Sequence, residues 1–145
     1  MKQILNGQWS GIINYGPEYG DLQNEELFFV ADLNEEDNLI TGTATDLNEK
    51  EDTGIASIKG FIDGNKISFI KQYPYDSYYD EFGKIIIDKT KVGPEINYFG
   101  VWNFESNSIE GSWEIIVETK KIGDQLFENI CTGSFKMSKK ITNQK

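Results

Sequence analysis

Apolar residues recur at every second position through most of this chain, and no other feature restricts its fold as much. From 109 to 118, Ile109, Gly111, Trp113, Ile115 and Val117 alternate with Glu110, Ser112, Glu114, Ile116 and Glu118. Successive side chains of a strand point to opposite faces, so this segment turns one apolar face inward and leaves a mostly acidic face to water. The same alternation puts Ile96, Tyr98, Gly100, Trp102 and Phe104 on one face of a second segment, and Cys131, Gly133, Phe135 and Met137 on one face of a third. Helical periodicity is weak throughout; only 77–83 and 48–53 have room for a single helical turn.

Short polar punctuators of the kind that close hairpins separate the runs: Asn34-Glu35-Glu36-Asp37-Asn38, Asp63-Gly64-Asn65 and Glu105-Ser106-Asn107-Ser108. Strands are expected between them at 8–15, 26–32, 39–45, 55–62, 66–73, 84–88, 95–104, 109–118 and 126–136. Two longer loops, 74–82 and 89–94, break the rhythm. Connections this short make successive strands antiparallel neighbours, whereas a Greek-key sandwich needs a long crossover. Glycines at 11, 42, 60, 100, 111 and 133 fall inside strands, where they permit the bends and close backbone approach of a small closed barrel. The expected fold is all-β: an antiparallel up-and-down meander barrel of about eight or nine strands. It forms one domain over 1–138, followed by a frayed tail at 139–145.

The chemistry open to such a barrel is narrowed by what is missing. All 14 basic residues are lysine, and there is no histidine among the 145 residues. Without His the usual proton shuttle near neutral pH and the commonest metal and haem ligand are absent. Without Arg no planar fork can clamp a carboxylate or phosphate. An AT-rich coding sequence accounts for the bias, since Ile, Lys and Asn are abundant, and the chemical restriction holds whatever its origin. No phosphate loop, zinc spacing or calcium-loop pattern occurs, so neither a cofactor nor a metal is expected. A net charge of −10 argues against nucleic acid and against an anionic membrane surface as partners. The start of the chain lacks the apolar run of a secretory signal, and the single Cys131 has no internal disulfide partner; a reducing cytoplasm fits best. Oligomeric state is not legible at this level.

The order of elements resembles the calycin group, that is, the lipocalins and the avidin/streptavidin-like barrels. Gly7-Gln8-Trp9-Ser10-Gly11 is similar to the opening Gly-x-Trp of both, and Leu39-Ile40-Thr41-Gly42-Thr43 and Gly60-Phe61-Ile62-Asp63 are similar to the segments that follow in avidins. Trp113 follows Gly111 as a ligand-facing Trp does there. The resemblance implies a barrel that holds a small ligand. In the avidin pattern a ligand-binding Asn stands two residues after the first Trp; Gly11 occupies that place here, which argues against biotin. Lipocalins set a basic residue of the last strand over the Trp, a role open here to Lys136, Lys139 or Lys140. The stretches 67–75 and 94–100 also resemble a set of small bacterial proteins of unassigned activity.

An eight-strand barrel is just wide enough to be filled by side chains or to hold one small ligand. Tyr73, Tyr98, Trp102 and Trp113 share the inward faces and are candidate walls of a pocket, their rings suited to a flat ligand of mixed polarity. Plugging of the barrel ends is the other role open to the tryptophans, and the one favoured for Trp9. Lys71 follows Ile67 and Phe69 on the inward face of its strand. It is a candidate anchor for a ligand carboxylate or a partner for Asp46; alternatively its stem lies along Phe69 and its ammonium snorkels to water. A desolvated lysine can also form a Schiff base. The preferred reading is a non-catalytic small-molecule binder with Lys71, Tyr73, Tyr98, Trp102, Trp113 and Asp46 as its site. Two alternatives stand beside it: a packed barrel whose tyrosine-rich loop at 73–82 contacts a protein, and a cofactor-free enzyme using Lys71 or a tyrosine.

Overall fold

The computed structural model describes residues 5–16, 26–47, 54–79, 81–82 and 85–139. Eight strands close into a barrel: β1 (Gly7–Tyr15), β2 (Glu26–Glu36), β3 (Leu39–Asp46), β4 (Ala56–Asp63), β5 (Lys66–Gln72), β8 (Glu95–Asn103), β9 (Ser108–Ile122) and β10 (Gln125–Lys139). Every neighbouring pair is antiparallel, and β1 joins β10 to β2 to complete the ring. Strands that follow one another in the chain also lie side by side, which is the up-and-down meander that the short connections imply. Among the described residues the one interruption is a separate hairpin of β6 (Asp76–Tyr79) and β7 (Ile85–Asp88), inserted between β5 and β8.

The turns follow the punctuators. Asp37 and Asn38 both adopt positive φ, 53° and 68°, the twist a two-residue hairpin loop needs to continue the right-handed twist of its strands. Gly64, with φ 63°, closes the β4–β5 hairpin, and Gly123, also 63°, closes the β9–β10 hairpin. That last hairpin is longer than the sequence pattern implies. β9 and β10 each run for 15 residues, because cross-strand pairing continues out to Gln125 and Ile122 after the apolar alternation has faded.

Two expectations are corrected. The segment 74–82 is not simply a loop, and 77–83 does not begin with a helical turn: Asp76–Tyr79 is strand β6, paired with β7 from Asp76↔Asp88 to Tyr79↔Ile85. Four residues are too few for alternation to declare itself, and the pairing partner supplies what the local pattern lacks. Residues 48–53 lie outside the described residues, as do 140–145, while Lys139 belongs to β10.

Alternation sorts the interior as the sequence implies. Trp9, Ile13, Phe29, Leu33, Ile40, Ile58, Ile67, Phe69, Tyr98, Trp102, Ile109, Trp113, Phe135 and Met137 all face inward and are buried. The filling is lopsided. The walls made by β1 to β4 contribute Gly11, Ala31, Gly42, Ala44, Ala56 and Gly60, while β5, β8, β9 and β10 contribute most of the large rings. In the middle Phe69 stacks on Tyr98 at 4.7 Å and 7°, and Phe135 presents its edge to both, at 6.2 and 5.1 Å. Full burial of a side chain of this size is worth roughly 1.5–3 kcal/mol, so this stack is a large part of what holds the ring closed. Gly111 shows why small residues are needed: a Cβ there would collide with the carbonyl oxygen of Phe99 on the adjoining strand.

Candidate functional site

The two ends of the barrel differ. At one end Leu5 and Trp9 are buried, and the Trp9 indole N–H donates to the Leu5 carbonyl at 2.8 Å. Trp102 meets Trp9 edge-on at 5.9 Å and donates its own N–H to Asn107 Oδ1 at 3.2 Å. Lys139 stands directly across from Trp9 in the β1–β10 register, its Cε 3.0 Å from where a Cβ on Gly7 would be. Of the lysines open to that role, Lys139 stands opposite the first-strand Trp, Lys136 faces out and pairs with Glu110 at 3.1 Å, and Lys140 lies outside the described residues. This end is closed.

At the other end the interior turns polar. Lys71 lies on β5 opposite Ile96, and its ammonium nitrogen is 3.5 Å from Asp46 Oδ1, with each side chain only 3% exposed. The strand between them, β4, presents Ala56, short enough to let the two side chains meet across it. The Tyr73 hydroxyl donates to Asp46 Oδ2 at 2.5 Å. Three rings surround the ammonium, with centroids 5.2 Å away for Phe29, 4.9 Å for Tyr73 and 5.9 Å for Tyr98. Aromatic faces carry negative charge density and attract a cation, the more so when water is excluded. The expectation that Lys71 snorkels is therefore overturned. The barrel wall encloses its head as well as its stem, and the carboxylate and the rings supply there what solvent would supply outside.

Burial pushes the Tyr73 phenol well above its ordinary range, and the Asp46 carboxylate beside it adds to the shift. The phenol thus stays protonated and is held as a donor, while Asp46 accepts from both Tyr73 and Lys71. Among the described residues every buried side-chain nitrogen or oxygen has a hydrogen-bond partner, so the cluster sits in a satisfied polar pocket inside an apolar shell.

Four of the six residues singled out from the sequence come together here: Asp46, Lys71, Tyr73 and Tyr98. Trp113 joins them at the next position round the ring, directly across from Tyr98, with its indole N–H donating to Ser134 O at 3.2 Å and Tyr15 edge-on at 6.0 Å. Trp102 does not join. It lies six residues along β8 from Ile96, about 20 Å at the rise of a strand, and belongs to the closed end. Phe29 and Tyr15 also stand at the cluster and are not among those six. Phe29 is legible as an inward position of β2, but its height in the barrel depends on pairing with Asp46 across β2 and β3.

Tyr15, Tyr73, Ile96 and Cys131 are half-buried against the core around the cluster. Tyr73 is followed by Pro74 and Tyr75, which lead into the β6–β7 hairpin; Gly93 returns from it and donates its N–H to Tyr73 O at 3.1 Å. Tyr75 is half-buried with the Lys89 ammonium 5.5 Å over its ring, and the side chains of Tyr78 and Tyr79 lie outside the described residues. At Gly11, where avidins carry a ligand-binding Asn, a Cβ would run into the Phe29 ring and lie 2.9 Å from Met137 Cβ. The chain's own side chains fill that position.

Comparison of the chain with protein-family models, with curated proteins and with solved structures finds no match. The likeness to small bacterial proteins has no support there. What the structure defines is a class: a closed eight-strand antiparallel barrel with one end sealed by tryptophans and a buried lysine–aspartate pair at the other. No helix among the described residues is long and apolar enough to cross a membrane.

Proposed function

We propose that the chain is a calycin-like binding protein that takes one small molecule at the Lys71 end of the barrel and does not transform it. The observation that carries this reading is the Lys71–Asp46 pair, enclosed by three rings beside half-buried Tyr15, Tyr73 and Ile96. Taking two charges out of water costs several kcal/mol per ion, and well-packed apolar residues of like volume stabilise a core as well or better. A fold with no use for the charges gains nothing by burying them. The chemistry fits a ligand with an aromatic or flat body and a carboxylate or other acceptor. Such a group exchanges with Asp46 as the partner of the ammonium, while Trp113 and Tyr98 offer faces to the body. The position of Lys139 across from Trp9 supports the calycin-like part of the reading.

A thermal-shift screen of aromatic and aliphatic carboxylates, with tryptophan fluorescence as a second readout, tests the proposal. A ligand of the folded state at about 100 times its Kd adds roughly 2.7 kcal/mol of stability. The double variant Lys71→Met with Asp46→Leu keeps the apolar volume and removes both charges; it should fold and lose the response. A screen with no stabiliser, or a response that the double variant retains, defeats the reading.

A second reading rests on the β6–β7 hairpin, which stands outside the barrel sheet with Phe82 near its tip 86% exposed. It makes the protein an interaction module that contacts a partner through that hairpin. Binding of small molecules lost on substitution at Lys71, and unaffected by Phe82→Ser, favours the first reading.

A further inference from the structure

The outer wall of the barrel carries an apolar groove, on the opposite face of the sheet from the Lys71 side chain. Phe61, Ser68, Phe99 and Ser112 stand side by side in one cross-strand row over β4, β5, β8 and β9. Phe61 is 54% and Phe99 47% exposed. The rings form ridges and the serines the floor of a groove of about 430 Å³. Val101, two residues beyond Phe99, and Leu39, paired with Phe61 across β3, are also exposed. Single apolar residues on a surface need no explanation, but a contiguous patch on a chain of net charge −10 marks an interaction site.

We propose that this face docks on the same face of a second copy of the chain, in a two-fold dimer whose axis runs parallel to the strands between β5 and β8. Such an axis turns β4 of one copy onto β9 of the other and β5 onto β8, and it keeps each cross-strand row in place. An isologous interface requires a patch to complement itself, and the aromatic row and the row Lys59–Ile70–Asn97–Glu114 do so. In the aromatic row, large and small alternate, so Phe61 seats on the partner's Ser112 and Phe99 on the partner's Ser68. In the next row, Lys59–Ile70–Asn97–Glu114, the lysine meets the partner's Glu114. In the row on the far side, Asp63 with Lys66 beside it faces the partner's Glu110, whose charge is already balanced by Lys136 at 3.1 Å. Sheets pack face to face through interdigitated side chains, and ridges that fall on serines allow that approach.

Sedimentation velocity on the full chain, up to about 100 µM to cover interfaces of modest affinity, tests the proposal. The expected species has twice the 16.5 kDa chain mass. Phe99→Ser should give a monomer with an unchanged circular dichroism spectrum, since the side chain projects from the outer face of the barrel and is 47% exposed. Lys59→Glu and Glu114→Lys should each weaken the dimer by about tenfold or more, because like charges then face each other, and the two together should restore it. Should Phe99→Ser fail to fold, the charge exchange still decides. A 16.5 kDa mass at every concentration overturns the proposal, whether or not the groove takes up an apolar dye. So does a dimer that persists in Phe99→Ser, or a charge exchange that restores nothing.

Discussion

Lys71 and Asp46 meet inside the barrel, ammonium nitrogen to carboxylate oxygen at 3.5 Å, from strands that are not neighbours. Removing one member of a buried pair leaves the other charge unpaired, at a cost of about 3–5 kcal/mol, whereas apolar replacement of both is often neutral or stabilising. Lys71→Met alone should therefore lower unfolding stability in urea by that amount, and adding Asp46→Leu should recover part of it, the gain being offset by about 1–3 kcal/mol because the Tyr73 hydroxyl loses its acceptor. A double variant no more stable than the single would show that the pair is not energetically coupled.

Tyr73 gives a dependence on alkaline pH. Its phenol is held protonated in the fold, well above the ordinary value near 10, while in the unfolded chain it ionises there. Above pH 10 the folded state thus binds one proton more than the unfolded state, and stability falls as pH rises, by up to about 1.4 kcal/mol per pH unit. Below pH 10 both states are protonated and the contribution is fully present. Tyr73→Phe should flatten the slope between pH 10 and 11 by about 1 kcal/mol relative to the parent protein, the unfolded phenol being only partly ionised over that unit; equal slopes would count against the burial of the hydroxyl.

The two ends should respond separately. Trp102→Phe removes the bond to Asn107 and part of the contact with Trp9, and is expected to cost about 1–2 kcal/mol while leaving any ligand affinity intact. Trp113→Phe, next to Tyr98, should change affinity. Titration of a stabilising ligand into both variants checks this, and a loss of affinity confined to Trp102→Phe would reverse the assignment of the ends.

Two glycines should differ sharply on substitution by alanine. At Gly111 the new methyl group collides with the Phe99 carbonyl, which is backbone and cannot swing aside, so a loss of about 3 kcal/mol is expected. At Gly64 nothing lies within 4 Å, and only the left-handed φ of 63° is penalised, at about 1 kcal/mol. Thermal melts of the two variants give the comparison directly, and equal losses would contradict the close approach of β8 and β9.

Much of this was legible in one dimension. The alternation at Ile67, Phe69, Lys71 and Tyr73 placed a lysine on an inward face, and short connections between strands called for a meander. Strand β6 was not legible, because four residues carry too little pattern, and the reach of β9 to Ile122 was hidden because its outer half is specified by its partner.

The sequence by itself determined which side chains face inward, since a period of two is a local property of extended backbone. Height in the barrel is not local. It comes from the register of eight strands and from the closure of β1 on β10. Only that closure brought Asp46, Lys71, Tyr73 and Tyr98 together, carried Trp102 to the far end with Trp9, and enclosed an ammonium that the strand alone would have let reach water.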